Sequence, residues 1–384
     1  MKIILAGGGS GGHVTPLKAI YEALKEQGEH QKHELTIITD AKFYKQTQEI
    51  FAGDSVAIRK VFSGKYRRYT SKSLLWHIVH LPTFLKNIRD IFLLFLGSVQ
   101  ALLMFLMRKP DVVLCKGGYV CVPIGLAARA RKIPLIIHDS DTRPGLTNRI
   151  LAKWANTIAT GMPTEFYPYP KKRMVYTGIP VKAAFQPVTD EEARIQKRSL
   201  GLPEDRPLLL VTGGGNGAVN LNAQVAAIAE RLLMTGWSIA QLGGKGKTGQ
   251  LIKKRETLQE DIKDYWLIDE FAEMVPRLLG ADLIIARTSA STIQECANAQ
   301  KTVIGIPSPH LEDQKMNAEF YGSKQAMHTL DETQLSGSGD ELLEAIEALA
   351  HDTKRARQLA KNLHASFAKP DAARRLAALI VASS

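Results

Sequence analysis

The stretch Lys2-Ile3-Ile4-Leu5-Ala6-Gly7-Gly8-Gly9-Ser10-Gly11-Gly12-His13 opens this 384-residue chain with an apolar run that gives way to a glycine loop. The pattern returns near the middle, where Leu208-Leu209-Leu210-Val211 leads into Gly213-Gly214-Gly215-Asn216-Gly217. Each run has the length of a buried strand, and each loop precedes a helical periodicity. Backbone N–H groups at such a helix N-terminus attract phosphate. The pairing predicts an α/β chain of two Rossmann-like lobes, each with a parallel sheet, facing across a cleft.

Further apolar runs at Leu35 to Thr39, Val112 to Cys115, Leu135 to Ile137, Leu283 to Ala286 and Val303 to Ile306 alternate with amphipathic stretches, the rhythm of parallel sheets covered by helices. The break falls between Tyr167-Pro168-Tyr169-Pro170 and Gly201-Leu202-Pro203, which predicts lobes over 1–178 and 179–367. The tail from Gly339 reads as two or three helices. The last, about 368–384, is expected to cross back to the first lobe, with a plain helical cap on the second lobe as the alternative.

Lys and Arg number 50 against 38 Asp and Glu, a net charge of +12 that favours an anionic partner. Cys115, Cys121 and Cys296 form no CxxC pair, which argues for reduced thiols and against a zinc site or a disulfide framework. A strand that begins at Lys2 leaves no room for a cleaved leader, so the expected protein starts at Met1.

The excess charge is concentrated. Arg59, Lys60, Lys65, Arg67, Arg68, Lys72, Lys86 and Arg89 lie in a segment without an acidic residue, and Ile91 to Met107 then runs free of charge. Seventeen helical residues span about 25 Å, short of a bilayer core. A spanning helix would also put the strand at Val112 on the wrong side of the sheet that holds Lys2 to Ala6. A buried helix covering the sheet leaves the cations unexplained. Apolar surface beside Lys and Arg is how a protein docks on an anionic leaflet. The nearby Tyr66, Tyr69 and Trp76 make no nucleic-acid module.

Gly7, Gly9 and Gly12 fit the dinucleotide fingerprint, and Asp40 ends the next strand where a ribose-binding acid sits in an NAD or FAD enzyme. A redox enzyme needs one such site, however, and this chain has two phosphate-type loops. His13, in the first helical turn, is the candidate general base, or else a cap or phosphate ligand. Arg287 to Glu295 passes from a strand end into a helix. Amides at Ala290, Ser291 and Thr292 can hold a diphosphate, and Glu295 can accept from both ribose hydroxyls or serve only as a helix-dipole partner. Gln314 and Asn317 share a helix face suited to sugar hydroxyls, or form an ordinary polar surface.

Together Gly9 to His13, Gly117-Gly118-Tyr119, His138 with Gly145 to Asn148, Gly213-Gly214 with Gly217-Ala218, Ala290 to Glu295 and Gln314 with Asn317-Ala318 resemble the MurG family, in colinear order. The resemblance implies a GT-B fold and an inverting UDP-sugar-dependent hexosyltransferase that moves GlcNAc from UDP-GlcNAc to a polyprenyl-diphosphate-linked acceptor, lipid I, giving lipid II. It implies no metal or other cofactor, and peripheral attachment at the cytoplasmic face of the cell membrane. Ser10, Gly11, Gly12, His13, Gly117, Gly118 and Tyr119 would meet the acceptor diphosphate. The backbone of Phe271 would read uracil, Gln314 would bind the donor sugar, and Asp141, Lys182, Gly215, Asn216 and Asn317 would complete the donor wall. Three departures stand out: the family's His-Glu-Gln-Asn is His138-Asp139-Ser140-Asp141 here, its Ser-Gln is Gly215-Asn216, and its Arg is Lys182. A related transferase with another UDP-sugar or lipid-linked acceptor is the nearest alternative. A redox enzyme and a non-catalytic lipid-carrier-binding module are more distant.

Overall fold

A computed structural model describes residues 1–9, 11–27, 33–65, 80–214 and 217–383. Ser10, Gly215 and Asn216 of the two loops, and Tyr66, Arg67, Arg68, Tyr69, Lys72 and Trp76 of the basic segment, lie outside the described residues. The chain forms two units, Met1–Pro180 with Asp371–Ser384, and Val181–Pro370.

The first unit carries β1 (Lys2–Gly7), β2 (Glu34–Thr39), β3 (Ala57–Lys60), β4 (Val112–Gly117), β5 (Leu135–Asp139), β6 (Thr157–Thr160) and β7 (Met174–Tyr176) in one sheet of order β3-β2-β1-β4-β5-β6-β7. All described pairings are parallel. The central strands are apolar and buried on both faces because helices cover both, which is why they read as unbroken hydrophobic runs. The strand order reverses between β1 and β4, and at such a switch point the loops diverge to leave a crevice at the strands' carboxyl ends. Helix Ala372–Ala382 closes this unit, inserting Leu376, Ala377 and Ile380 among Ile3, Leu5, Leu17 and Ile20.

The second unit holds β8 (Leu208–Thr212), β9 (Ser238–Leu242), β10 (Trp266–Asp269), β11 (Leu283–Ala286), β12 (Val303–Gly305) and β13 (His328–Thr329), ordered β10-β9-β8-β11-β12-β13. Its switch point lies between β8 and β11. Helices Asp340–His351 and Thr353–Phe367 belong to this unit, so the tail's three helices divide between the two.

The apolar segment is longer than its charge-free run suggests, and the buried-cover alternative fails. The helix is Leu81–Met107, begun at His80 and Pro82, and its 27 residues span roughly 40 Å. Nor is it a buried cover for the sheet. Its inward stripe is Thr83, Asn87, Asp90, Gly97, Ala101 and Phe105, small or polar in all but one position. Backbone packs too closely there for larger residues: a Cβ on Gly97 would lie 1.8 Å from the Phe62 carbonyl oxygen, and one on Gly64 would lie 2.0 Å from that of Asp90. The large apolar side chains therefore point outward, with Ile91, Phe92, Phe95 and Leu103 all more than half exposed.

Candidate active site

The first loop is held by the next strand's end. Gly9 N donates to Asp40 Oδ2 at 2.7 Å, while Asp40 Oδ1 accepts from Lys42 N at 2.9 Å, Phe43 N at 3.3 Å and Tyr119 Oη at 3.2 Å. The carboxylate that could have met a ribose is thus buried and turned onto the protein's own donors. This removes the main support for a dinucleotide site, which is a correction to the role considered for Asp40.

The loops after β1 and β4 touch through backbone. A Cβ on Gly118, at φ +84°, would sit 1.8 Å from the Gly8 carbonyl oxygen, and one on Gly117, at φ +129°, would sit 2.8 Å from both Cε1 and Nδ1 of His13. Only glycine accepts both the positive φ and the contact. Gly118→Ala is accordingly expected to lower unfolding free energy by about 3 kcal/mol or more, measured by urea denaturation.

His13 lies half-buried in the first turn of helix Gly11–Gln27, its ring against Gly117, with Nδ1 buried and unpartnered among the described residues. Burial, reinforced by the Lys116 charge, brings its pKa down to about 3, so the imidazole is neutral and able to accept a proton. Gly11 is buried and Gly12 exposed beside it.

Lys116 was not legible as a site residue. Its one sequence signal is a lysine set directly after the apolar run Val112 to Cys115. The β1–β4 register passes from Ala6 opposite Cys115 to Gly7 opposite Gly117, which leaves Lys116 as the extra residue of a bulge. Its side chain is fully buried, and Nζ donates to Ser140 Oγ at 2.5 Å. Burial lowers its pKa to about 8, against the opposing pull of Asp141 and Asp139. Burial raises the Asp139 carboxyl to about 6 even though Tyr169 Oη donates to it at 2.7 Å.

In the second unit, buried Trp266 Nε1 donates to Gln241 Oε1 at 3.1 Å, Gln241 Nε2 to Asn222 Oδ1 at 3.2 Å, and Asn222 Nδ2 to the Gly243 carbonyl at 2.9 Å. This satisfied chain holds the loop after β9 against the one after β8, where a Cβ on Gly217 would lie 2.4 Å from the Gly243 oxygen. Gly213 and Gly214 precede helix Val219–Met234.

The turn after β11 is braced from behind. Arg287 donates to the Ile306 carbonyl at 3.0 Å and to Glu332 Oε1 at 2.5 Å. Thr288 Oγ1 donates to the Gln314 carbonyl at 2.7 Å, Asn317 Nδ2 donates to the Thr288 carbonyl at 2.9 Å, and Gln314 Oε1 accepts from Ser308 N at 2.9 Å. Gln314 and Asn317 do share a face of helix Glu312–Ser323, but a buried one, where they hold the turns. The helix Ala290–Asn298 then starts with Ala290 and Thr292 buried and Ser291 and Glu295 half-buried. Burial raises the Glu295 carboxyl to about 8, with Lys182 pulling it down and Glu273 pushing it up. Lys182 itself pairs with Glu273 at 2.7 Å. Phe271 is exposed in the loop after β10. Asp141, half-buried, follows β5 in the first unit. Among the described residues no cluster of three or more His, Cys, Asp or Glu is arranged to hold a metal ion.

The two units correspond to two known domains. Residues 3–160 match the glycosyltransferase family 28 N-terminal domain, and residues 208–376 match its C-terminal domain. The UDP-N-acetylglucosamine–N-acetylmuramyl-(pentapeptide) pyrophosphoryl-undecaprenol N-acetylglucosamine transferase of Lachnospira eligens is 31% identical over 365 residues, 91% of each chain. The protein of the same name from Bacillus pumilus is 29% identical over 380 residues, 98% of this chain and 97% of its own. In fold, the crystal structure of Acinetobacter baumannii MurG superposes with a TM-score of 0.69 at 21% identity, covering 99% of each chain. Relatives of one name matched over nine-tenths of the sequence, together with both domain matches, establish the kinship: the chain belongs to the MurG family of glycosyltransferase family 28.

Proposed function

We propose that this protein transfers N-acetylglucosamine from UDP-GlcNAc to undecaprenyl-diphosphate-linked N-acetylmuramyl-pentapeptide, the lipid I to lipid II step of peptidoglycan synthesis. The observation that carries this reading is 31% identity over 91% of the chain to an enzyme named for that reaction. The first unit supplies the acceptor side: Gly11, Gly12 and Gly117 to Tyr119 bound the loops where a diphosphate would lie, and neutral His13 takes the proton of the attacking hydroxyl. The second supplies the donor side, with amides at Ala290 to Thr292 at a helix N-terminus offsetting charge on departing UDP without a metal, and Glu295 on the ribose. Asp141, Lys182 and Phe271 complete the donor wall in this reading, and Gln314 and Asn317 hold its turns from behind.

The deciding experiment offers a panel of UDP-sugars with a soluble lipid I analogue. Transfer from UDP-GlcNAc well above UDP-glucose and UDP-GalNAc is expected. Transfer of a different sugar would assign the chain to a related transferase, and UDP-GlcNAc binding without transfer to any polyprenyl-diphosphate would make it a binding module.

We further propose that the protein sits on the cytoplasmic leaflet through the outward face of helix Leu81–Met107. Exposed Arg59, Lys60, Lys65 and Lys86 lie beside that apolar face in sequence, and Arg89 on the same helix pairs with Asp90. The helix is a crossover between two strands of one sheet, and its small-residue stripe packs on helix Cys121–Ala130, which supports lying on the membrane over spanning it. Replacing Phe92 and Phe95 by serine is expected to weaken binding to phosphatidylglycerol vesicles by roughly 30-fold, as two aromatic side chains are withdrawn from the interface. Vesicle sedimentation measures it; transfer to a soluble acceptor should persist.

A further inference from the structure

Lys116 is a buried cation that neither the glycine loops nor the donor wall explains. The bulge at Ala6/Gly7 against Cys115/Gly117 re-aims its side chain along the carboxyl end of β5, where Ser140 receives it. The receiving chain has a fixed direction. His138 Nε2 lies 2.9 Å from the Gly178 carbonyl, which can only accept, so Nε2 carries the hydrogen and Nδ1 is left as an acceptor. Ser140 Oγ, 3.4 Å away, turns its hydrogen toward that Nδ1 and keeps its lone pairs for the Lys116 ammonium. Burial first, and Lys116 second, hold His138 well below the ordinary histidine range, which keeps this tautomer neutral.

On the other side, the residue after Lys116 is Gly117, whose missing side chain is what lets the His13 ring lie against the backbone. The groups facing Lys116 come from three elements. Asp139, Asp141 and His138 lie on or just after β5, Cys121 lies on the helix Cys121–Ala130, and His13 on the helix Gly11–Gln27. The two aspartates make the buried ammonium tolerable; His13 is the neutral neighbour on which its field acts.

We infer that Lys116 is a positioning residue of the sugar transfer: its ammonium, anchored on Ser140 one residue before the Gly117 backbone against which the His13 ring lies, adds to burial in keeping that imidazole in the neutral form that accepts the hydroxyl proton. The inference rests on His13 being the base. It goes beyond that reading by assigning part of the hold on the base's charge state, beside burial, to a residue that touches neither substrate.

Two variants separate charge from packing. Lys116→Gln keeps a donor for Ser140 and removes the charge, and Lys116→Met fills similar volume with neither. Circular dichroism and the thermal midpoint establish that each is folded, and one folded variant is sufficient. The readouts are the His13 titration midpoint, from ¹³Cε1-histidine NMR with the resonance assigned by its loss in His13→Ala, and the acid limb of kcat/KM. Without the ammonium, protonated His13 is less disfavoured, so its pKa rises and the acid limb moves to higher pH. The pull of Lys116 ranks second to burial, so the midpoint stays below 5, and activity at pH 4 relative to pH 7.5 should fall about twofold further than in the wild type. A midpoint and a limb that both stay in place in a folded variant overturn the inference, as would a loss of rate equal at every pH. Single-turnover chemistry that survives in His13→Ala overturns the base reading instead, and a raised midpoint would then still establish the hold of Lys116 on the ring.

Discussion

Replacing His13 with alanine is expected to slow single-turnover transfer by roughly 10²–10³-fold while leaving UDP affinity unchanged, because a positioned general base contributes on that scale and the groups proposed to hold UDP, Ala290 to Thr292 and Glu295, lie in the other unit. The pH dependence sharpens the test. With a pKa near 3 in the unliganded protein, His13 stays neutral across the working range, and kcat/KM should show no acid limb from it above about pH 4. A base with so low a pKa is weak. An acceptor diphosphate brought to the glycine loops places negative charge beside the ring and raises its pKa toward the working pH, so the acid limb of kcat should lie above that of kcat/KM. Rapid-quench kinetics with a soluble acceptor reads both. Single-turnover chemistry that survives in His13→Ala, with acceptor binding weakened, would make the residue a phosphate ligand.

The fold was largely legible because parallel strands covered on both faces must be apolar throughout, and runs such as Leu208 to Val211 can satisfy no other environment as cheaply. The glycine loops were legible for a different reason. Positive φ at Gly9, Gly118 and Gly214 leaves little choice of residue. What could not be read was direction. Asp40 ends a strand where a ribose acid belongs, yet its oxygens accept from Gly9, Lys42, Phe43 and Tyr119, partners that only the tertiary fold brings together. Gln314 and Asn317 were recognisable as a polar pair on one helix face, but nothing in an i, i+3 spacing says that the face is turned inward to brace Thr288 and Ser308. The helix Leu81–Met107 defeats the rule that apolar residues face the core. Close backbone approach at Gly64 and Gly97 leaves an inward stripe that is small or polar except at Phe105, and the helix begins early enough to include Lys86 and Arg89. Lys116 belongs to no motif, and only the bulge reveals where its side chain goes.

UDP affinity should rise with pH, and Glu295 should be the cause. A ribose diol donates two hydrogen bonds, and only the ionised carboxylate can accept both. In the unliganded protein burial holds this carboxyl at about 8, so at pH 7 most of it is protonated and one oxygen is committed as a donor. The group's raised pKa sets the sign: affinity is full above 8 and falls as pH drops below it, making UDP bind about eightfold more weakly at pH 7.0 than at 8.5. Binding at pH 7 must then release a proton, and isothermal calorimetry in phosphate and Tris, whose ionisation enthalpies differ, would give different apparent heats. Glu295→Ala removes both acceptors and should cost roughly 100-fold in affinity at pH 8.5, the scale of two hydrogen bonds to a charged group. Glu295→Gln has no proton to lose, so it should bind with intermediate affinity and no slope between pH 7.0 and 8.5. The neighbouring ion pair of Lys182 with Glu273, at 2.7 Å, supplies a control: Glu273→Gln withdraws a negative charge that helps hold the Glu295 proton, so the affinity rise should begin at lower pH. A flat wild-type profile with buffer-independent heats would separate Glu295 from the ribose and leave it as a partner of its helix's N-terminal dipole.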